Sequence, residues 1–152
     1  PLHDMNWEKD NYKPMAGYAR SKVALLTFTL ELNRRLAGRN IIALAAHPGF
    51  AATEITAGNP AMQPKNALGR WINSKIEPLI PKAADAARPI LHAALAPGVC
   101  GGDYFGPGGI LEIAGKPAKA KLNPRTRNAE DAQRLWSISQ EMTGVSDLAA
   151  EL

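Results

Sequence analysis

The chain has 152 residues, 45% hydrophobic and 21% charged, a balance that argues against wholesale disorder and sets the scale at one ordinary domain. Eighteen basic residues oppose fourteen acidic ones, and the net charge of +4 suits an anionic cofactor without marking a nucleic-acid footprint. The longest purely apolar run, Ile41 to Ala46, is far short of a membrane span, the single Cys100 excludes an internal disulfide, and no secretory signal is visible, so a cytoplasmic location is expected.

Residues 1–13 are polar and aromatic without periodicity and read as loop. A helix signal begins at Pro14, because proline's missing N–H has no partner to lose in a first turn. Val23, Leu26 and Leu30 form one stripe and Leu25, Phe28, Leu32 and Leu36 another, so this helix is expected to be buried on more than one side, with Gly38 ending it. Arg34 and Arg35 suit its negative end and need no other role. The run Ile41–His47 reads as a strand covered on both faces, the parallel-sheet pattern, stopped by Pro48-Gly49. Residues 50–80 read as a long excursion with one or two short helices. Lys82–Leu95 predicts a second main helix kinked at Pro89. Gly101 to Gly106 reads as a turn and a short strand, and 106–127, rich in Gly, Pro and Lys, as irregular. A last helix is predicted from Ala129 to Met142, with Asn128 as N-cap and Gly144 as stop; Ala132, Leu135, Trp136 and Met142 form its apolar face. The alternation argues for α/β with a parallel sheet. Only two strands are evident, so residues 1–152 read as one partial domain, about half of a doubly wound one.

Tyr18 and Lys22 carry the most suggestive chemistry. A spacing of four puts both on one helix face, one turn apart. A phenol ordinarily titrates near pH 10, and a nearby ammonium favours its ionised form. Such a pair can hand a proton to a carbonyl oxygen or take one from an alcohol. Spacing alone is weak evidence, since any helix can carry a surface Tyr and a solvated Lys.

The ordered context adds weight. Tyr18-Ala19-Arg20-Ser21-Lys22 leads through a long helix to His47-Pro48-Gly49, with Thr53 four residues after the glycine. Asn6-Trp7-Glu8 stands ahead of the tyrosine, and Gly101-Gly102-Asp103-Tyr104-Phe105-Gly106-Pro107 follows later. Together these resemble the second half of a short-chain dehydrogenase/reductase, in its retinol-dehydrogenase-like and protochlorophyllide-reductase-like branch. The resemblance implies the C-terminal half of a doubly wound Rossmann-type domain. It implies Tyr18 as general acid/base, Lys22 as its helper and as a ligand of the nicotinamide ribose, and Pro48, Gly49 and Thr53 at the cofactor. It also implies NAD or NADP, with this branch inclining to NADP, and a small carbonyl or alcohol substrate. The family's glycine-rich pyrophosphate turn, its Asn-Asn-Ala-Gly-like segment and its catalytic serine have no counterpart in this sequence. The isolated chain is therefore not expected to be an efficient dehydrogenase.

Other features weigh less. Gly106-Pro107-Gly108-Gly109 fails the dinucleotide pattern, and Gly115-Lys116 fails the phosphate-loop pattern. His3, His47 and His92 lack metal-ligand spacing, and His47 reads more readily as structural than as a cofactor neighbour. Lys116, Lys119, Lys121, Arg125 and Arg127 read as a solvated edge. Leu68, Trp71, Ile72, Ile76 and Leu79 stand where the family covers its substrate, which hints at a bulky, lipophilic one. A rival reading is non-catalytic: a half-domain whose uncovered apolar surface associates with a partner chain or with a second copy of itself.

Overall fold

A computed structural model describes Leu2 and residues 4–49, 66–68, 71, 74 and 81–145. The helices whose full range lies among the described residues are α1 (Pro14–Arg35), α2 (Ala83–Ala86), α3 (Arg88–Leu95) and α4 (Ala129–Thr143). The strands are β1 (Ala45–Ala46), β2 (Tyr104–Pro107) and β3 (Pro117–Lys119), and short 3-10 turns span Ile110–Glu112 and Pro124–Arg127. The strands form one sheet in the order β1-β2-β3. His47 N–H donates to the Phe105 carbonyl and Ala45 N–H to that of Asp103, both at 2.9 Å, so the pairing advances in the same direction on both segments and is parallel. β3 runs antiparallel to β2, with Phe105 opposite Lys119 and Pro107 opposite Pro117. The fold is α/β with a parallel β1–β2 pair, as the sequence predicts, and the antiparallel β3 makes the small sheet mixed.

The chain divides into two compact units. The first comprises Pro1–Ala45, Cys100–Asp103 and Lys121–Leu152; the second comprises Ala46–Val99 and Tyr104–Ala120.

In the first unit α1 packs against α4 and the Pro124–Arg127 turn. Phe28 stacks on Trp136 with centroids 4.9 Å apart, and Leu36, Thr126, Ala132, Leu135 and Trp136 are buried. Asn128 caps α4 by accepting the Asp131 N–H at 2.9 Å, and Gly144 closes it at φ +72°. Both match the sequence expectation, but Met142 is exposed rather than part of the apolar face. The expectation that α1 is buried on more than one side is met in part. Its buried positions are Thr27 and Glu31; Val23, Leu26, Phe28, Leu30 and Leu32 are half-buried, and Leu25 is exposed.

Arg34 and Arg35 do more than complement a helix dipole. Arg34 forks onto Glu31 through Nε and a terminal nitrogen, each at 2.8 Å, and Arg35 Nε adds a third bond at 2.8 Å. The Arg35 guanidinium also lies 4.4 Å from the centre of the Trp136 ring. These bonds, led by those of Arg34, hold the Glu31 carboxyl below its usual range against the opposing effect of burial. The same pairing raises the Arg34 guanidinium above its ordinary value.

In the second unit α3 packs on β2 and β3, and His92 meets Phe105 edge-on at 5.0 Å. Ala86, Pro89, Ala93 and Phe105 are buried there. The single kinked helix predicted over Lys82–Leu95 is two helices, broken at Ala87. Pro89 sits in the first turn of α3, where its missing N–H costs nothing, and its ring opposes continuation from the preceding turn. Two other expectations need correction. The strand predicted over Ile41–His47 is regular only at Ala45–Ala46, and Ile41 and Ile42 are 40% and 51% exposed. Backbone pairing begins at Ala43, so the earlier isoleucines have no ladder to hold them. The stretch 106–127 is not wholly irregular: β3 lies within it, an edge strand opened by a proline, a position where the missing donor is tolerated.

Candidate active site

Tyr18 and Lys22 occupy the second and third turns of α1. The helix has Pro14 at its first position, and Gly17 N–H donates to the Lys13 carbonyl at 2.8 Å. The structure brings the pair together as the spacing predicts: Lys22 Nζ stands 5.4 Å from the centre of the Tyr18 ring. Both side chains are exposed, Tyr18 by 60%. Ser21, between them in sequence, turns its hydroxyl back to the Tyr18 carbonyl at 2.8 Å and adds nothing to that face.

Arg20 leaves the helix on another side. It donates to the Asp4 carbonyl at 2.5 Å and lies 4.3 Å from the centre of the Trp7 ring. Asp4 is buried, and its carboxylate accepts the backbone N–H groups of Glu8, Lys9 and Asp10 at 2.7 to 3.0 Å. Those donors, Asp10 first, hold its carboxyl below the usual range against the cost of burial. Trp7 meets Tyr12 edge-on at 5.4 Å, and Tyr12 lies against Gly17, where a Cβ would stand 2.8 Å from the ring. The loop ahead of Tyr18 is thus clasped to the start of α1. The sequence marks Asn6-Trp7-Glu8 only by resemblance. Asp4 followed by three consecutive backbone donors is a local pattern that an Asx-type reading finds.

A cavity of about 410 Å³ lies in this unit between the opening loop, α1 and α4, with Met5, Trp7, Arg20, Val23, Thr27 and Leu135 among its walls. Neither Tyr18 nor Lys22 lines it.

In the second unit Pro48 is exposed and Gly49 half-buried. Gly49 takes φ +73° and passes so close to the backbone of Glu112 and Ile113 and to the Pro107 ring that no side chain fits there. His47 holds this turn: its Nδ1 accepts the Gly49 N–H at 3.2 Å, and its Nε2 lies 3.1 Å from Glu112 Oε2. The structural reading of His47 matches these contacts; Glu112 carries no sequence signal that pairs it with His47. Thr53, the fifth predicted residue, lies outside the described residues, as do Ile72, Ile76 and Leu79. Leu68 and Trp71 are exposed.

No family model matches the chain. It is 31% identical to human retinol dehydrogenase 12 over 147 residues, which cover 95% of this chain and 41% of that protein. It is 34% identical to human retinol dehydrogenase 13 over 149 residues, 93% of this chain and 40% of that protein. A crystal structure of an uncharacterised protein from Mycobacterium paratuberculosis superposes with a TM-score of 0.68 at 32% identity, covering 95% of this chain and 44% of that one. With the mixed α/β fold described above, these are likenesses to part of a short-chain dehydrogenase/reductase domain. Within that family the similarity is to the retinol-dehydrogenase-like branch, and the chain spans about two fifths of the length of the curated relatives it matches.

Proposed function

We propose that the chain contributes the proton-handling half of an NAD(P)-dependent oxidoreductase that interconverts a carbonyl and an alcohol. The observation that carries this reading is the exposed Tyr18–Lys22 pair, one helical turn apart, in a chain similar to retinol dehydrogenases along nearly all its length. The residues suit the nicotinamide-ribose end of a dinucleotide. In the first unit Lys22 offers three donors to sugar hydroxyls, and, taken by itself, the Pro48–Gly49 turn of the second unit presents bare backbone that a flat ring can approach closely. Bound there, the nicotinamide supplies the hydride. Tyr18 Oη holds the proton: it gives it to the carbonyl oxygen in reduction and takes it from the alcohol in oxidation. Lys22 stabilises the phenolate that this transfer leaves and orients the ribose. Thr53 completes the cofactor contacts. The substrate is a lipophilic alcohol or aldehyde, a reading supported by the names of the relatives.

The test is reduction of a long-chain polyene aldehyde by the protein isolated from its own source, with NADH and NADPH compared. Cofactor oxidation that needs the aldehyde and prefers NADPH is the expected result. No turnover with either cofactor overturns the reading for that protein. The 152-residue chain alone is expected to be much slower, because the sequence holds no glycine-rich pyrophosphate turn.

A second reading rests on the exposed apolar side chains of Leu25, Ile41 and Ile42. Such surface favours self-association or a partner chain. Light scattering that stays monomeric over a hundredfold range of concentration removes it.

A further inference from the structure

The His47-Pro48-Gly49 turn is held by a short relay inside the second unit. Gly49 N–H donates to His47 Nδ1 at 3.2 Å. A ring nitrogen that accepts carries no proton, so the hydrogen-bond pattern assigns the neutral ring's proton to Nε2, the nitrogen facing Glu112 Oε2 at 3.1 Å. The carboxylate thereby selects the tautomer, and the tautomer leaves the Nδ1 lone pair for the Gly49 amide. The same logic orients histidines in metal and catalytic sites, where a carboxylate behind the ring sets what the other nitrogen does.

Four further features fit a device and not a chance contact. Gly106 on β2 makes room for the His47 ring, since a Cβ there collides with Nε2. The ring also leans on Tyr104, with centroids 5.2 Å apart. Glu112 reaches its place from a turn in which Leu111 and Glu112 both adopt φ +55°, a left-handed conformation rare for such side chains. A solvated glutamate needs no such backbone. Gly49, itself left-handed, tucks beneath the carbonyls of Glu112 and Ile113, so one turn grips the other through backbone as well as side chain.

We infer that Glu112, acting through His47, is a positioning residue that fixes the Pro48–Gly49 turn for the nicotinamide end of the dinucleotide. The inference rests on the dehydrogenase reading above. It places a specificity for geometry in the 110–113 turn, a segment that the family resemblance does not mark.

The experiment compares the wild-type chain with Glu112→Ala and Glu112→Gln by nitrogen-15 NMR and by NADPH titration. In the wild type His47 is expected to show an unprotonated Nδ1 and a protonated Nε2. Glu112→Ala mixes the tautomers, speeds Gly49 amide exchange about tenfold and weakens NADPH binding by a similar factor, the scale of one lost charge-assisted hydrogen bond. Glu112→Gln keeps an oxygen acceptor and restores all three. Amides of α4 serve as the fold control and stay unchanged. An Nδ1-protonated His47 in the wild type, Gly49 exchange indifferent to Glu112→Ala, or unchanged NADPH affinity in that variant overturns the inference. Where the wild-type chain binds neither NADH nor NADPH, tautomer and exchange decide the hold on the turn, and the dehydrogenase reading falls if the protein isolated from its own source binds neither cofactor as well.

Discussion

Near the C-terminal end of α1, Glu31 is 3% exposed and takes three charge-assisted hydrogen bonds; nearer the start of the same helix, Tyr18 is 60% exposed with Lys22 beside it. One end spends its polar groups inside the structure, against Arg34, Arg35 and, through Arg35, Trp136. The other holds a titratable pair in solvent, where neither side chain adds much to folding. The contrast teaches where to look for purpose. A buried charge is explained by the bonds around it, whereas an exposed Tyr–Lys pair has to be explained by what it meets.

Substitutions at the two ends sharpen this contrast, and the largest effect is expected at the exposed one. Tyr18→Phe should lower turnover of the active protein by about 10²- to 10⁴-fold, the range for loss of a general acid, while leaving the thermal midpoint unchanged. Steady-state kinetics beside thermal unfolding measure both. A stability loss would make Tyr18 a structural residue and break the comparison. Glu31→Ala should do the reverse. Urea unfolding is expected to show a loss of about 2–3 kcal/mol, because the substitution removes three charge-assisted hydrogen bonds and empties a buried site. Activity per folded molecule should hardly change.

Acid provides a gentler probe. The Glu31 carboxyl is held below its usual 4.5 in the folded chain, so in that pH range the unfolded chain binds the proton more readily. Its contribution is complete above about pH 4.5 and is lost as pH falls through the lower folded value. Asp4 has the same sign. The acid limb of a stability–pH curve should therefore be shallower in Glu31→Gln than in the wild type. The smallest effect belongs to a cap: Asn128→Ala should cost about 1 kcal/mol in the same denaturant series, and a neutral result would mean that the Asp131 N–H finds water without penalty.

Helices α1 and α4 were legible because their boundaries are written locally, in Pro14, Asn128 and Gly144. The Tyr18–Lys22 pairing was legible for the same reason, since helix geometry alone sets a spacing of four. What sequence pattern could not supply was tertiary. Pro117-Ala118-Lys119 has no strand signature and is regular only because β2 offers it a ladder. Ile41 and Ile42 read as core, yet burial depends on a neighbour and not on hydropathy. Arg34 and Arg35 looked like dipole partners because nothing in a linear pattern shows that Glu31 turns inward. The partnership of His47 with Glu112 spans 65 positions and depends on two left-handed residues that no propensity favours.

The contacts of the buried Trp136 ring with Phe28 and the Arg35 guanidinium have an optical consequence. The chain has three tryptophans: Trp136 and Trp7 in the first unit, and Trp71 in the second. Trp136 is 2% exposed and Trp71 is 61% exposed. A soluble collisional quencher such as iodide should darken Trp71 first and leave Trp136 emitting at the blue edge of the spectrum. Quencher-resolved fluorescence then separates the two units by colour, and the unfolding of the first can be timed in the intact chain without a label.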